Sequence, residues 1–126
     1  MSGKKKKKII AVDFDGVIAM YDGWKGEDVL GEPNEKVIRA LRELKENFNW
    51  YITVFTTRRD TMALRDWLNR NKVPHDSVNS TSHNPPNTSS KPIFDVMLDD
   101  RALRYEGQET KELLRQIIGS GKNRDN

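Results

Sequence analysis

The chain alternates short apolar runs with amphipathic segments. Runs at residues 8–13, 50–55 and 93–98 are nearly continuous, which is typical of strands buried on both faces of a sheet. A further short strand is expected around Val78. Residues 80–90 are almost entirely Ser, Asn, Thr and Pro, so they are expected to form a loop.

Two amphipathic helices are expected between these strands. The first follows Pro33, where apolar positions recur at the i, i+3, i+4, i+7 spacing of a helix. Its stripe consists of Val37, Ala40, Leu41, Leu44 and Phe48. The second is capped by Asp60 or Thr61 and ends at Asn71 and Pro74. Its expected buried face consists of Ala63, Leu64, Trp67 and Leu68.

A last helix is expected over residues 109–118, with Gly119 at the position just after its end. Its expected inward residues are Leu113, Leu114, Ile117 and Ile118. Strands that alternate with helices favour an α/β fold with a parallel sheet and helices on both faces.

Polar residues follow three of the predicted strands. They are Asp13 and Asp15, Thr56 and Arg58, and Asp99 and Asp100. The carboxyl ends of parallel strands lie on one edge of the sheet, where open α/β sheets bind ligands. Side chains far apart in sequence are therefore expected to converge on one pocket.

Four carboxylates in that pocket indicate a metal site. Without a cation, Asp13, Asp15, Asp99 and Asp100 would repel one another strongly. The chain has no cysteine, and its two histidines are not suitably spaced as ligands. A hard, oxygen-ligated cation is expected, and Mg²⁺ fits best because it keeps several waters and can accept a phosphate oxygen.

The first two aspartates are suited to different tasks. The strand period turns Asp13 and Asp15 to the same side and Phe14 into the core. A metal would hold Asp13 ionised as a nucleophile, while Asp15 would give a proton to the leaving group and later take one from water. Gly16 would let the chain turn tightly so that backbone groups approach the substrate.

Two further residues fit phosphoryl transfer. Thr56 can donate its hydroxyl and its backbone N–H to a phosphoryl oxygen, and Lys91 can offset the negative charge. Each feature alone has a structural alternative: a turn for Asp-x-Asp-Gly, a strand end or helix cap for Thr56, a solvated side chain for Lys91, and a turn cap for Asp99 and Asp100. Their order at successive strand ends favours the catalytic interpretation.

Four motifs in this order resemble the haloacid dehalogenase (HAD) superfamily over about residues 8–105. The motifs are Asp13-Phe14-Asp15-Gly16-Val17-Ile18, Thr56, Lys91 and Asp99-Asp100. Val17 stands where the family more commonly has threonine. The segments at residues 22–26 and 99–103 look like a subgroup of small HAD-like proteins of bacteria and their phages.

The resemblance implies a three-layer, Rossmann-like α/β fold and an Mg²⁺-dependent hydrolase that forms an aspartyl-phosphate intermediate. Asp13 would be the nucleophile and Asp15 the acid/base. The metal would be held by the Asp13 carboxylate, the Asp15 backbone carbonyl and Asp100, with Asp99 as a second acid nearby. Asp100 is favoured over Asp99 as the direct ligand.

No large cap domain is expected, because the segments at residues 16–33 and 75–90 are too short to hold one. The loop at residues 21–27 is the expected lid, and an open site would admit nucleotides or nucleic-acid ends. Tyr21 and Trp24 could stack on a base or close the loop onto the core. Substrate binding is assigned to Gly16, Thr57, Arg58 and Trp24. The arginines Arg58, Arg59 and Arg101 would bind a second anion or pair with Asp60, Asp99 and Glu106.

The composition suits one domain over residues 8–119, with a basic tail at 1–7 and a frayed tail at 120–126. The 126 residues carry a net charge of +3 and a sequence pI near 9.2. Five lysines at positions 4–8 would form a solvated tail or a weak contact to nucleic acid. No signal peptide and no apolar stretch of the ~20 residues that span a membrane are found, so a cytoplasmic protein without disulfides is expected.

The leading interpretation is an Mg²⁺-dependent phosphatase acting on a phosphorylated small molecule or nucleotide. The first alternative is a nucleotidase or a polynucleotide-end phosphatase. The second is a non-catalytic binding module that keeps the fold, and the intact set of polar residues argues against it. The sequence leaves the substrate and the oligomeric state open.

Overall fold

A computed structural model describes residues 7–89 and 91–122 of the chain. Within these residues, four strands and three helices follow one another. They are β1 (Ile9–Asp13), α1 (Glu35–Phe48), β2 (Tyr51–Phe55), α2 (Met62–Arg70), β3 (Ser77–Val78), β4 (Val96–Leu98) and α3 (Thr110–Lys122). This part of the chain forms one sheet in the order β3-β2-β1-β4, and every neighbouring pair is parallel. The predicted α/β, Rossmann-like class without a large cap is confirmed.

Strand β1 lies at the centre of the sheet because its side chains are apolar on both faces. Ile10 is in register with Ile52 of β2 and Val96 of β4. Ala11 and Val12 are completely buried. The last residue of β1, Asp13, therefore emerges from the middle of the sheet at its carboxyl edge.

Helices α1 and α2 pack on one face of the sheet. Phe14 lies in this core, as predicted, with its ring 5.0 Å from that of Trp67 in an edge-on contact. The buried cluster also contains Ile10, Val12, Ile38, Leu41, Ile52, Val54, Leu64 and Leu68. Burial of so many aliphatic and aromatic side chains holds the helices against the strands.

The predicted stripe of α1 is only partly right. Ile38 and Leu41 are the buried residues of this helix, while Ala40 and Phe48 are exposed. Phe48 is the last residue of α1 and extends beyond the core. Of the two residues expected to cap α2, Thr61 is the N-cap, and its hydroxyl accepts a hydrogen bond from the Leu64 N–H.

The opposite face is covered differently from our expectation. Thr53 of β2 is buried there, and its hydroxyl donates to the Ser80 carbonyl at 2.8 Å, so the segment after β3 lies against this strand. The expectation that α3 turns its apolar side inward is wrong. Its residues Leu114, Ile117 and Ile118 are 50–57% exposed.

The ends of β4 and α3 also differ from the prediction. β4 starts at Val96 instead of residue 93, and just before it the Asp95 carboxylate accepts a hydrogen bond from the Ile9 N–H at 2.7 Å. Helix α3 continues through Gly119 to Lys122. Residues 4–6 of the lysine run and 123–126 of the expected tail lie outside the described residues. No helix in the described residues is long and apolar enough to cross a membrane.

Candidate functional site

The carboxyl ends of β1, β2 and β4 open on a cavity of about 290 Å³. Its lining residues are Asp13, Asp15, Tyr21, Trp24, Phe55, Thr56, Thr57, Asp99 and Arg101. The fold thus brings together polar residues that are more than 80 positions apart in the sequence, as the parallel arrangement predicts.

Two of the carboxylates that line this cavity, Asp13 and Asp99, form a cluster with Asp100, which is not among its lining residues. Asp13, Asp99 and Asp100 each offer an oxygen, and these atoms lie within 4.8 Å of one another. The pKa of Asp13 is raised from 3.8 to about 6, first by burial and then by the negative charges of Asp99 and Asp100. Three close carboxylate oxygens without sulfur or imidazole ligands match the donor set that Mg²⁺ prefers. The residues therefore fit the predicted cation.

Gly16 shapes the wall of the cluster beside Asp100. The φ angle of Gly16 is +88°, a conformation that L side chains rarely adopt, and a Cβ here would collide with the Asp100 carboxylate. The absence of a side chain at Gly16 is therefore what allows Asp100 to sit against the turn after β1.

Replacing Gly16 by alanine is expected to weaken Mg²⁺ binding about tenfold, because the added methyl group displaces Asp100. The matched control is Gly23→Ala. Gly23 also has a positive φ, of +117°, but a Cβ there meets nothing within 4 Å. Isothermal titration with Mg²⁺ distinguishes the two variants, because both carry backbone strain and only Gly16→Ala displaces Asp100. Equal Mg²⁺ affinities for the two variants would contradict the role of Gly16 in placing Asp100.

Thr56 lies at the end of β2 and lines the cavity, but its hydrogen bonds differ from the prediction. Its backbone N–H, predicted to donate to a phosphoryl oxygen, donates to Asn79 Oδ1 at 2.7 Å. The hydroxyl oxygen accepts a hydrogen bond from the backbone N–H of Arg58 at 3.0 Å, which leaves the hydroxyl proton for another acceptor. Sequence reasoning missed Asn79, because an asparagine after a short strand has no distinctive pattern.

Lys91 is exposed in the loop before β4 and is not among the residues that line the cavity. The cation that lines it is Arg101, whose guanidinium carbon lies 6.0 Å from the centre of the Tyr21 ring. The backbone N–H of Arg101 donates to the Asp99 carboxylate at 2.7 Å. Asp99 therefore caps its own turn, an alternative raised from the sequence, and also belongs to the carboxylate cluster.

Two of the three arginines predicted to bind an anion, Arg58 and Arg59, form ion pairs within the protein. Arg58 is 3% exposed and forms a two-point ion pair with Asp15. Arg59 is exposed and pairs with Glu27 at 3.2 Å. Neither pairing was predicted, since the partners are separated by more than 30 residues.

Aromatic side chains from the loop after β1 form the rim of the cavity. Tyr21 is 37% exposed and Trp24 is 57% exposed, so the alternative in which they close onto the core is wrong. The Arg58 guanidinium carbon lies 4.7 Å from the centre of the Trp24 ring. The Arg58 guanidinium lies against one face of the Trp24 ring. Because Trp24 is exposed, the rest of the ring is accessible at the cavity.

These features define a small α/β protein with a Rossmann-like parallel sheet and a carboxylate-rich cavity at its carboxyl edge. The structure is similar to that of a conserved protein from Bacteroides thetaiotaomicron, with a TM-score of 0.62 over 96% of this chain and 94% of that chain. The two sequences are 20% identical, so the similarity concerns the fold alone. A scan against protein-family models and a search of curated proteins found no match.

Proposed function

We propose that this protein is an Mg²⁺-dependent phosphatase of the HAD type. The observation that carries the proposal is the cluster of Asp13, Asp99 and Asp100 at the end of the central strand, with Asp15 and Thr56 in the same cavity. Crowded carboxylates of this kind destabilise a cation-free site, as the raised pKa of Asp13 indicates. A bound cation removes that cost and attracts a phosphate group.

The reaction has two steps at phosphorus. In the first, a carboxylate oxygen of Asp13 forms a bond to phosphorus while the bond to the leaving oxygen breaks. That oxygen takes a proton from the Asp15 carboxyl. In the second step, Asp15 takes a proton from water, the water oxygen bonds to phosphorus, and the Asp13–phosphate bond breaks to release inorganic phosphate.

The Asp13 carboxylate, the Asp15 backbone carbonyl and Asp100 hold Mg²⁺ in this proposal, with Asp99 beside them. The cation, when bound, supplies positive charge that keeps Asp13 ionised and neutralises the phosphoryl oxygens. The Thr56 hydroxyl proton is directed to one of these oxygens. Arg101 adds positive charge from the cavity wall, and Lys91, which does not line the cavity, is given no part in the reaction.

The experiment that tests the proposal is hydrolysis of 4-nitrophenyl phosphate by the purified chain, with Mg²⁺ and with EDTA. Hydrolysis that depends on Mg²⁺ supports the proposal. A panel of phosphorylated metabolites, nucleotides and phosphorylated oligonucleotides then defines the substrate. The absence of hydrolysis across the whole panel would instead favour a binding module that keeps the fold.

Nucleotides are the second candidate substrate, and the observation that favours them is the exposed Trp24 at the rim of the cavity. Stacking of a base on an aromatic ring is worth about 1–3 kcal/mol. Trp24→Ala is therefore expected to lower kcat/KM for nucleoside monophosphates by about tenfold and to leave glycerol phosphate hydrolysis nearly unchanged.

The matched control for this stacking test is Tyr105→Ala, which removes another exposed aromatic ring that does not line the cavity. Equal losses on both substrates in the Trp24 variant would argue against base stacking. A salt-dependent preference for oligonucleotides over free nucleotides would identify a polynucleotide-end phosphatase.

A further inference from the structure

Arg58 is the one charged side chain that is buried among the described residues, with 3% of its surface exposed. A buried guanidinium is costly unless it is paired and all its donors are satisfied. From the sequence, Arg58 was assigned to substrate binding. Its contacts within the protein indicate a different role.

All five N–H groups of the Arg58 guanidinium are directed at protein oxygens. Nε donates to Asp15 Oδ2 at 2.9 Å, and Nη2 donates to Asp15 Oδ1 at 3.1 Å. Nη1 donates to the carbonyls of Gly26 and Glu27, and the second Nη2 proton to that of Val29. The guanidinium thus connects the end of β2 to the Asp15 carboxylate and to the loop after β1, which carries Trp24. No guanidinium N–H remains for a substrate phosphate.

We propose that Arg58 is a positioning residue that sets the orientation of the Asp15 carboxyl for proton transfer and holds the loop that carries Trp24. This inference rests on the proposed function, because it gives Asp15 the role of acid and base. The two-point pairing fixes the plane of the carboxyl group, and each Asp15 oxygen keeps a second lone pair in a residue that lines the cavity. A lysine at this position supplies charge without the planar pair of donors.

Proton transfer from Asp15 matters most when the leaving oxygen is strongly basic. Phenolate needs a proton as it departs, whereas 2,4-dinitrophenolate departs readily without one. Arg58→Lys is therefore expected to lower kcat/KM for phenyl phosphate by about 100-fold and for 2,4-dinitrophenyl phosphate by less than about 10-fold. Asp15→Asn is expected to show the same selectivity between the two substrates.

The ratio of the two kcat/KM values does not depend on the fraction of folded enzyme, so partial unfolding of the Arg58 variant does not obscure the result. The matched control is Arg65→Lys. Arg65 on α2 forms a similar two-point pair with Asp60, which precedes the helix, with distances of 2.6 and 2.7 Å, and neither residue lines the cavity. This variant is expected to keep the wild-type ratio.

An unchanged ratio in the Arg58 variant, or an equal loss on both substrates including complete loss, overturns the positioning role. If the wild-type chain hydrolyses neither ester, the proposed function fails first. The two failures are therefore distinguishable.

Discussion

Asp13→Asn is expected to lower the Mg²⁺-dependent kcat by at least about 1,000-fold, because the amide cannot attack phosphorus as a carboxylate does. Asp13 occupies the end of the central strand, in a cavity where Asp99 and Asp100 crowd it. The substitution keeps the size of the side chain and removes one of these close negative charges. The folded structure should therefore persist, and unfolding curves of the two proteins will check this directly.

The matched control for Asp13→Asn is Asp66→Asn, which removes an exposed carboxylate on α2 outside the cavity. This variant is expected to hydrolyse 4-nitrophenyl phosphate at the wild-type rate. Mass spectrometry of the acid-quenched reaction should detect a phosphoryl group on the wild-type chain and none on Asp13→Asn. Comparable rates for wild type and Asp13→Asn would rule out Asp13 as the nucleophile.

Mg²⁺ is expected to raise the thermal unfolding midpoint more at pH 7.5 than at pH 5.0. The folded-state pKa of Asp13 is about 6, above its usual value of 3.8. The cation-free folded chain therefore binds this proton more tightly than the unfolded chain does. The resulting stabilisation is fully present below about pH 3.8 and is lost as the pH rises through about 6.

A bound cation offsets the repulsion among the ionised carboxylates only where Asp13 has lost its proton. Protons therefore compete with Mg²⁺ below about pH 6. A ligand at 100 times its Kd stabilises a protein by about 2.7 kcal/mol, which corresponds to an increase of about 5–10 °C for a chain of this size. Differential scanning fluorimetry at the two pH values, with and without Mg²⁺, measures the effect. Asp13→Asn provides the control, because it removes the titrating group and should flatten the pH dependence. Equal gains at both pH values in the wild-type chain would contradict the linkage.

Most of the fold could be predicted from local patterns. The apolar run before Asp13 identified the central strand, and the helical spacing before Asn71 identified α2. The errors fall where burial depends on a distant partner. The apolar side of α3 is exposed, and the spacing of its apolar residues contains no information about whether another segment of the chain covers them.

The candidate site also combines residues that local patterns predict with residues whose position depends on distant contacts. Asp13, Asp15, Thr56 and Asp99 were expected in one pocket and line one cavity. Lys91 was expected there as well, but it lies in an exposed loop whose path the sequence pattern does not define. Whether a polar side chain reaches the cavity depends on the course of its loop.

The sequence by itself determined the chemistry available at the carboxyl edge of the sheet, because apolar runs place the strands and the residues that follow them must emerge at that edge. Only the tertiary structure decided how those residues are paired. Arg58 and Asp15 are 43 positions apart, and their ion pair exists because β1 and β2 are adjacent and parallel and the loop after β1 folds back over both. Contacts of this kind depend on the packing of separate segments, which no local pattern encodes.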